Sequence, residues 1–218
     1  MKQFTLLANE SSFRGDSFGV KCLSRDVQAF YHEDYFPNNR KTTGTIENTI
    51  CTLKNDITPY TESVLQNARN QLIGILRTDL PQILHLTGRT TLRVCVIPRA
   101  KKEEFYRANQ LYLRATIQSV VLCLDRFEDG THDIIRQTNT RTTHRNKSGH
   151  GGDGRMPYAG ITNDTCTLSD EIIGKDILLI DDLYTKTVNI DEDCLQALID
   201  KGARSVYFYS IGKTVSRY

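Results

Sequence analysis

The chain has 218 residues, long enough for one large domain or two small ones, and either could bury a real hydrophobic core. With 39% hydrophobic and 25% charged residues, the composition is that of an ordinary globular protein and excludes a disordered or collagen-like chain. Lys and Arg number 28 against 26 Asp and Glu, a net charge of +2, so a nucleic-acid or membrane-surface role would need a local patch.

No run approaches the roughly 18 apolar residues of a membrane span. The N-terminus, MKQFTLLANESSFRGD, turns polar too soon for a secretory signal, so a cytoplasmic location without membrane attachment is expected. Cys22, Cys51, Cys95, Cys123, Cys166 and Cys194 are scattered, with no CxxC and no metal-finger spacing, and are expected as small buried apolar residues.

Residues 1 to 45 are mixed in texture and give no clear element. From Tyr60 the spacing of Val64, Leu65, Ala68, Leu72, Ile75 and Leu76 predicts an amphipathic helix, punctuated by Pro81 and Thr87-Gly88. Leu92 to Ile97 is a β-branched run stopped by Pro98, and helical period returns from Glu103 to Leu124. The segment from Gln137 to Gly160 holds Gly149, Gly151, Gly152 and Gly154 and almost no apolar residue, which predicts a long functional or disordered loop. Asp176 to Ile180 is a continuous apolar strand of the kind covered on both faces. A helix follows through Ile190, Cys194, Leu195, Leu198 and Ile199, ends at Gly202, and leads into a strand from Ser205 to Ile211.

The sharpest chemical signal is Asp181-Asp182-Leu183-Tyr184-Thr185-Lys186-Thr187-Val188-Asn189. Two carboxylates at the carboxyl end of a buried strand stand where open α/β sheets bind ligands. The polar stretch beyond them runs into a helix start, whose free N–H groups and dipole attract phosphate. Carboxylates suit ribose hydroxyls, and Thr185, Thr187 and Asn189 suit a phosphate; the alternative is an acidic cap on a solvated strand end. Gly212-Lys213-Thr214 imitates the end of a Walker loop, but the first Gly of that motif would fall on Tyr207.

At these residues the chain resembles the type I phosphoribosyltransferases, whose signature is an apolar strand, two acidic residues, two apolar residues and a loop that binds phosphoribosyl pyrophosphate (PRPP). The likeness covers about residues 92 to 214, with the upstream Val94-to-Lys101 stretch similar to the ComF-like and amidophosphoribosyltransferase-related branch. It implies a Rossmann-like parallel sheet flanked by helices over residues 91–218. Residues 1–90 would form a mixed α/β or helical extension acting as a hood. In that frame Asp181 and Asp182 hold the ribose and, through water, Mg²⁺, while Leu183 to Asn189 form the ribose and 5′-phosphate site. Pro98, Arg99, Ala100 and Lys101 would hold pyrophosphate. The loop 137–160 would be a flexible lid bringing Arg145 and Lys147 to the departing diphosphate.

The chain departs from the family pattern at Lys186, Thr187 and Asn189, where Thr or Ser, Gly, and Thr or Ser are usual; losing that Gly removes an easy φ > 0 position. The implied reaction is transfer of ribose 5-phosphate from PRPP to an unidentified nitrogenous acceptor, with release of pyrophosphate and Mg²⁺ as cofactor. A homodimer is compatible with it. The alternative is a non-catalytic PRPP or nucleotide sensor of the same fold. A solvated basic turn at Arg99 and Lys101 stays open as an equal reading of those residues taken alone, and a nucleic-acid patch on the basic stretch 136–155 as a weaker one.

Overall fold

The computed structural model describes residues 1–10, 23–56, 59–140, 161, 165–186 and 188–215. Its centre is a six-stranded sheet of β1 (Lys2–Leu6), β2 (Val27–Tyr35), β3 (Leu92–Val96), β4 (Phe127–Gly130), β7 (Asp176–Tyr184) and β8 (Ser205–Thr214). The order across the sheet is β1-β2-β8-β7-β3-β4. Every pairing is parallel except β1 with β2, so the sheet is mostly parallel. A short antiparallel pair, β5 (Ile134–Arg136) with β6 (Cys166–Leu168), stands apart.

Both faces are covered. On one, Leu178 and Ile180 of β7 join Val94, Val96, Tyr209 and the apolar stripes of α1 (Ile46–Lys54), α2 (Glu62–Thr87) and α3 (Tyr112–Val121). On the other, Ile177 and Leu179 meet Phe208, the β5–β6 pair and α4 (Ile190–Asp200) through Cys194, Leu195 and Leu198. Alternate residues of β7 go to opposite cores, so its side chains read as an unbroken apolar run.

Residues 1–90, expected as an extension, supply β1, β2, α1 and α2, and β2 pairs directly with β8, Ala29 opposite Phe208 and Tyr35 opposite Thr214. The stretch His32-Glu33-Asp34 breaks the apolar pattern of β2 and hid it, yet Val27, Ala29, Phe30 and Tyr35 are buried.

Three other expectations shift. Pro81 lies inside α2 and does not end it: Leu80, Ile83 and Leu84 continue the buried stripe, and the helix stops at Gly88, whose φ of +64° needs a left-handed backbone. The helix expected from Glu103 starts only at Tyr112, after two short 3₁₀ turns. Tyr106 and Arg107 between those turns are extended, and the Tyr106 ring lies under Arg99, 4.3 Å from ring centre to guanidinium. Cys95, Cys166 and Cys194 are buried as expected, but Cys51 is partly exposed and Cys123 is exposed. No helix among the described residues is long and apolar enough to cross a membrane.

Candidate functional site

Strand order locates a crevice without reference to any motif. From β3 the chain steps outward to β4, then returns to place β7 on the other side of β3 and moves the opposite way to β8. At such a switch point the loops after the two central strands diverge, and a ligand crevice opens outside their carboxyl ends. The loops concerned are the one after β3, which holds Pro98 to Lys101, and the one after β7, which holds Thr185 to Asn189. Because β3 and β7 are parallel neighbours, with Val96 opposite Ile180, both loops open at the same edge of the sheet, the β7 loop four residues further out.

Asp181 and Asp182 lie within β7, which runs to Tyr184 rather than ending at Ile180. Consecutive strand residues point to opposite faces, and these two do. Asp182 meets α1, where its Oδ2 lies 2.6 Å from the Lys54 ammonium. Burial pulls the Lys54 pKa down, and attraction to Asp182 and Asp181 outweighs it, so the lysine stays charged. Asp181 meets α4 and shares a hydrogen bond with Asp191. Burial and the neighbouring Asp182 push its pKa up to about 7, and burial beside Asp181 and Glu192 pushes Asp191 well up too. Two carboxyls facing each other at a half-buried site hold a proton between them more readily than two negative charges.

Lys54 is the site residue that sequence reasoning missed. It is the last residue of α1, ahead of Asn55, whose left-handed backbone (φ 47°) ends the helix. Nothing local in Thr52-Leu53-Lys54-Asn55 marks it, since a lysine in the last turn of a helix is an ordinary partner of the helix dipole.

The loop after β3 is fixed by its own contacts. The Arg99 guanidinium donates to the carbonyls of Lys54 (3.0 Å) and Gln110 (2.7 Å) and to the Asp56 carboxylate. The Arg99 carbonyl accepts from Arg136 Nε, and the Ala100 carbonyl accepts from the Thr140 backbone at 2.8 Å. The Lys101 backbone N–H donates to the Tyr106 hydroxyl, and Pro98 is buried. Arg99 is thus a strut between the β3 loop and the end of α1, and through Lys54 it positions the cation that faces Asp182.

In the loop after β7, the Val188 N–H donates to the Thr185 carbonyl. Asn189 adopts the left-handed backbone (φ 61°) at the start of α4, and its amide donates to the Asp193 carboxylate at 3.0 Å. Positive φ is therefore supplied by Asn189. Leu183 and Tyr184 are buried on opposite sides of β7, and Lys186 is exposed. Thr187, Arg145 and Lys147 lie outside the described residues, as does the lid segment beyond residue 140.

Orphaned polar atoms give an independent pointer. Among the described residues, the buried atoms without a hydrogen-bond partner include Asn55 Nδ2, Thr185 Oγ1, Asp191 Oδ1, Glu192 Oε2 and Ser210 Oγ. These five belong to this end of the sheet, since Asn55 follows Lys54, Thr185 follows β7, Asp191 and Glu192 open α4, and Ser210 is the register partner of Asp181, while the other two, Asn109 Oδ1 and Arg114 Nε, lie on the 3₁₀ turn before α3 and on α3. Buried polar atoms are nearly always paired, so a concentration of unpaired ones marks a place where water or ligand completes the bonding.

The donor set does not fit a divalent ion held by the protein. Among the described residues no three His, Cys, Asp or Glu side chains converge on one point, Asp181 and Asp182 diverge, and Asp182 already holds the Lys54 ammonium. Direct ligation of Mg²⁺ by the acidic pair is therefore not part of the chemistry derived below. Neither a family model nor a curated protein matches the chain.

Proposed function

We propose that the chain binds PRPP in the crevice between the β3 and β7 loops and transfers its ribose 5-phosphate to a nitrogenous acceptor, releasing pyrophosphate. The observation that carries this reading is the coincidence of an acidic pair, an orphaned polar cluster and a switch point at one carboxyl edge. Asp181, held near neutrality, and Thr185 face hydroxyls of the ribose. Lys54 and Lys186 supply the positive charge for its phosphates, helped by free N–H groups at the start of α4. Stabilisation of the leaving diphosphate by positioned cations is the source of catalysis in this scheme.

A second reading, a PRPP or nucleotide sensor without transfer, is favoured by two specific features. Arg99 is engaged by Asp56 and two carbonyls, leaving it little to offer a departing pyrophosphate. The first turn of α4 carries Asp191, Glu192 and Asp193, which oppose an anion there. One experiment separates the readings: thermal unfolding with PRPP and MgCl₂, on wild type and Asp181→Asn, followed by assay of pyrophosphate release with nucleobases and amines. A ligand specific to the folded state stabilises it by about 2.7 kcal/mol at a hundred times its Kd, readily seen as a shift in Tm. Stabilisation with release supports transfer, and stabilisation without release supports the sensor. No stabilisation at millimolar PRPP overturns both transfer and PRPP sensing.

A further inference from the structure

On the α4 face of the sheet, a cavity of about 410 Å³ lies between β1, the ends of β7 and β8, and the first turn of α4. It touches the candidate site at Tyr184 and Lys186, but its remaining walls belong to β1, β2, β8, α4 and their flanks, on the side away from β3. Small-molecule sites have volumes of about 300–1,000 Å³.

The lining combines three chemistries. Phe4 and Tyr184 form an aromatic floor, with ring centres 5.1 Å apart. Glu192 is buried; Tyr184 OH donates to its Oε1 at 2.9 Å, while Oε2 has no partner among the described residues. Lys186 and Lys213 also line it, and neither forms an ion pair among the described residues; the Lys213 ammonium instead rests 5.3 Å from the centres of the Phe4 and Tyr31 rings.

These charges select a class of ligand. A simple anion would suit the lysines but face Glu192 and Glu10 on the cavity wall, where Asp34 is already held by Lys2. A simple cation would suit Glu192 but face Lys186 and Lys213. A molecule carrying both signs satisfies both sets, and the aromatic floor adds a preference for a planar apolar body.

We propose that this cavity binds an aromatic α-amino acid, its ammonium donating to Glu192 Oε2, its carboxylate reaching Lys213 and Lys186, and its ring against Phe4 and Tyr184. The cavity adjoins the PRPP crevice and shares Lys186 and Glu192 with it, and because the titration below is run without PRPP its outcome does not depend on the phosphoribosyl reading.

The test is calorimetric titration of the full chain, without PRPP, using L-phenylalanine and two one-charge analogues, phenethylamine and 3-phenylpropionate. The expected result is saturable binding of L-phenylalanine, with each analogue about tenfold weaker for the lost contact. Glu192→Gln should make L-phenylalanine and 3-phenylpropionate bind alike, and Lys213→Met should weaken L-phenylalanine about tenfold while leaving phenethylamine unchanged. Thermal unfolding of each variant confirms that it is folded, and Lys213→Met, at the rim of the sheet, keeps the test valid if the buried substitution is not tolerated. No saturable heat with L-phenylalanine at millimolar concentration overturns the proposal, as does equal affinity for the three probes, or a charge preference that survives both substitutions.

Discussion

Lys54 and Asp181 show how two neighbouring carboxylates acquire different chemistry. Asp182 is paired with an ammonium, whereas Asp181 faces another acid and is pushed toward neutrality. Replacing Lys54 by Met leaves Asp182 buried without its counter-charge, and should cost about 3 kcal/mol, the lower end for breaking a buried pair, because the lysine keeps some contact with water. Urea denaturation at pH 7 measures it, as a lower midpoint with unchanged slope. Asp181 has the opposite sign of a salt-bridged acid. Its pKa rises from 3.8 to about 7 on folding, so the native state binds the extra proton, and stability present below pH 4 is lost as pH rises toward 7. Asp191 adds to the same trend. Asp181→Asn should flatten the fall in stability between pH 4 and pH 7, read from chemical denaturation across that range; an unchanged slope would show that the carboxyl does not titrate there. The acidic pair itself was plain in the sequence, because a polar doublet ending an apolar strand is a local pattern. Its division between a lysine and an aspartate was not, because both partners come from helices distant in the chain. Arg99 was misleading for the same reason: a basic residue after a strand looks available for an anion until Asp56 and the two carbonyls are seen.

Elements were legible where their period was regular. The stripe of α2, the apolar β7 and the α4 face all follow their side-chain repeats. Failures fell where a single residue type carried a false signal. Pro81 is read locally as a helix end, but burial of Leu80, Ile83 and Leu84 outweighs the missing backbone hydrogen bond. Since Pro81 is exposed and its ring packs no core, Pro81→Ala should raise stability by up to about 3 kcal/mol, the difference between the two residues inside a helix. Differential scanning calorimetry checks this as a higher Tm, and a lower one would mean that the backbone fixed by Pro81 is needed for the fit of α2 to the sheet. The segment from Glu103 to Leu111 fails in the other direction. Its apolar residues have helical spacing, but Tyr106 is held out of a helix to stack under Arg99, a tertiary contact that local propensity does not encode.

For the whole molecule, the main surprise is how much of the sheet comes from the first 90 residues. Phe30, Tyr35, Ile50, Leu53, Leu72, Leu76 and Leu80 share one core with β7 and β8, and nothing in the texture of residues 1 to 45 announces that role. A chain cut at residue 91 would expose that core and the edge of β8. It should therefore lose cooperative unfolding and bind the dye ANS, as seen by fluorescence and near-UV circular dichroism. A fragment with a sharp thermal transition would show instead that residues 91–218 form a self-sufficient unit.

The pairing of β2 with β8 also sets a timetable. During synthesis β2 leaves the ribosome well before its partner, since α1 to α4 and β3 to β7 all lie between it and β8 in the chain. Until β8 emerges, one edge of the β1–β2 hairpin keeps its N–H and C=O groups unmatched, and the apolar face of α2 has only a partial sheet to cover. The sheet therefore cannot close until β8 has been made, and nascent chains that stop short of β8 should depend on holding factors that chains including it do not need.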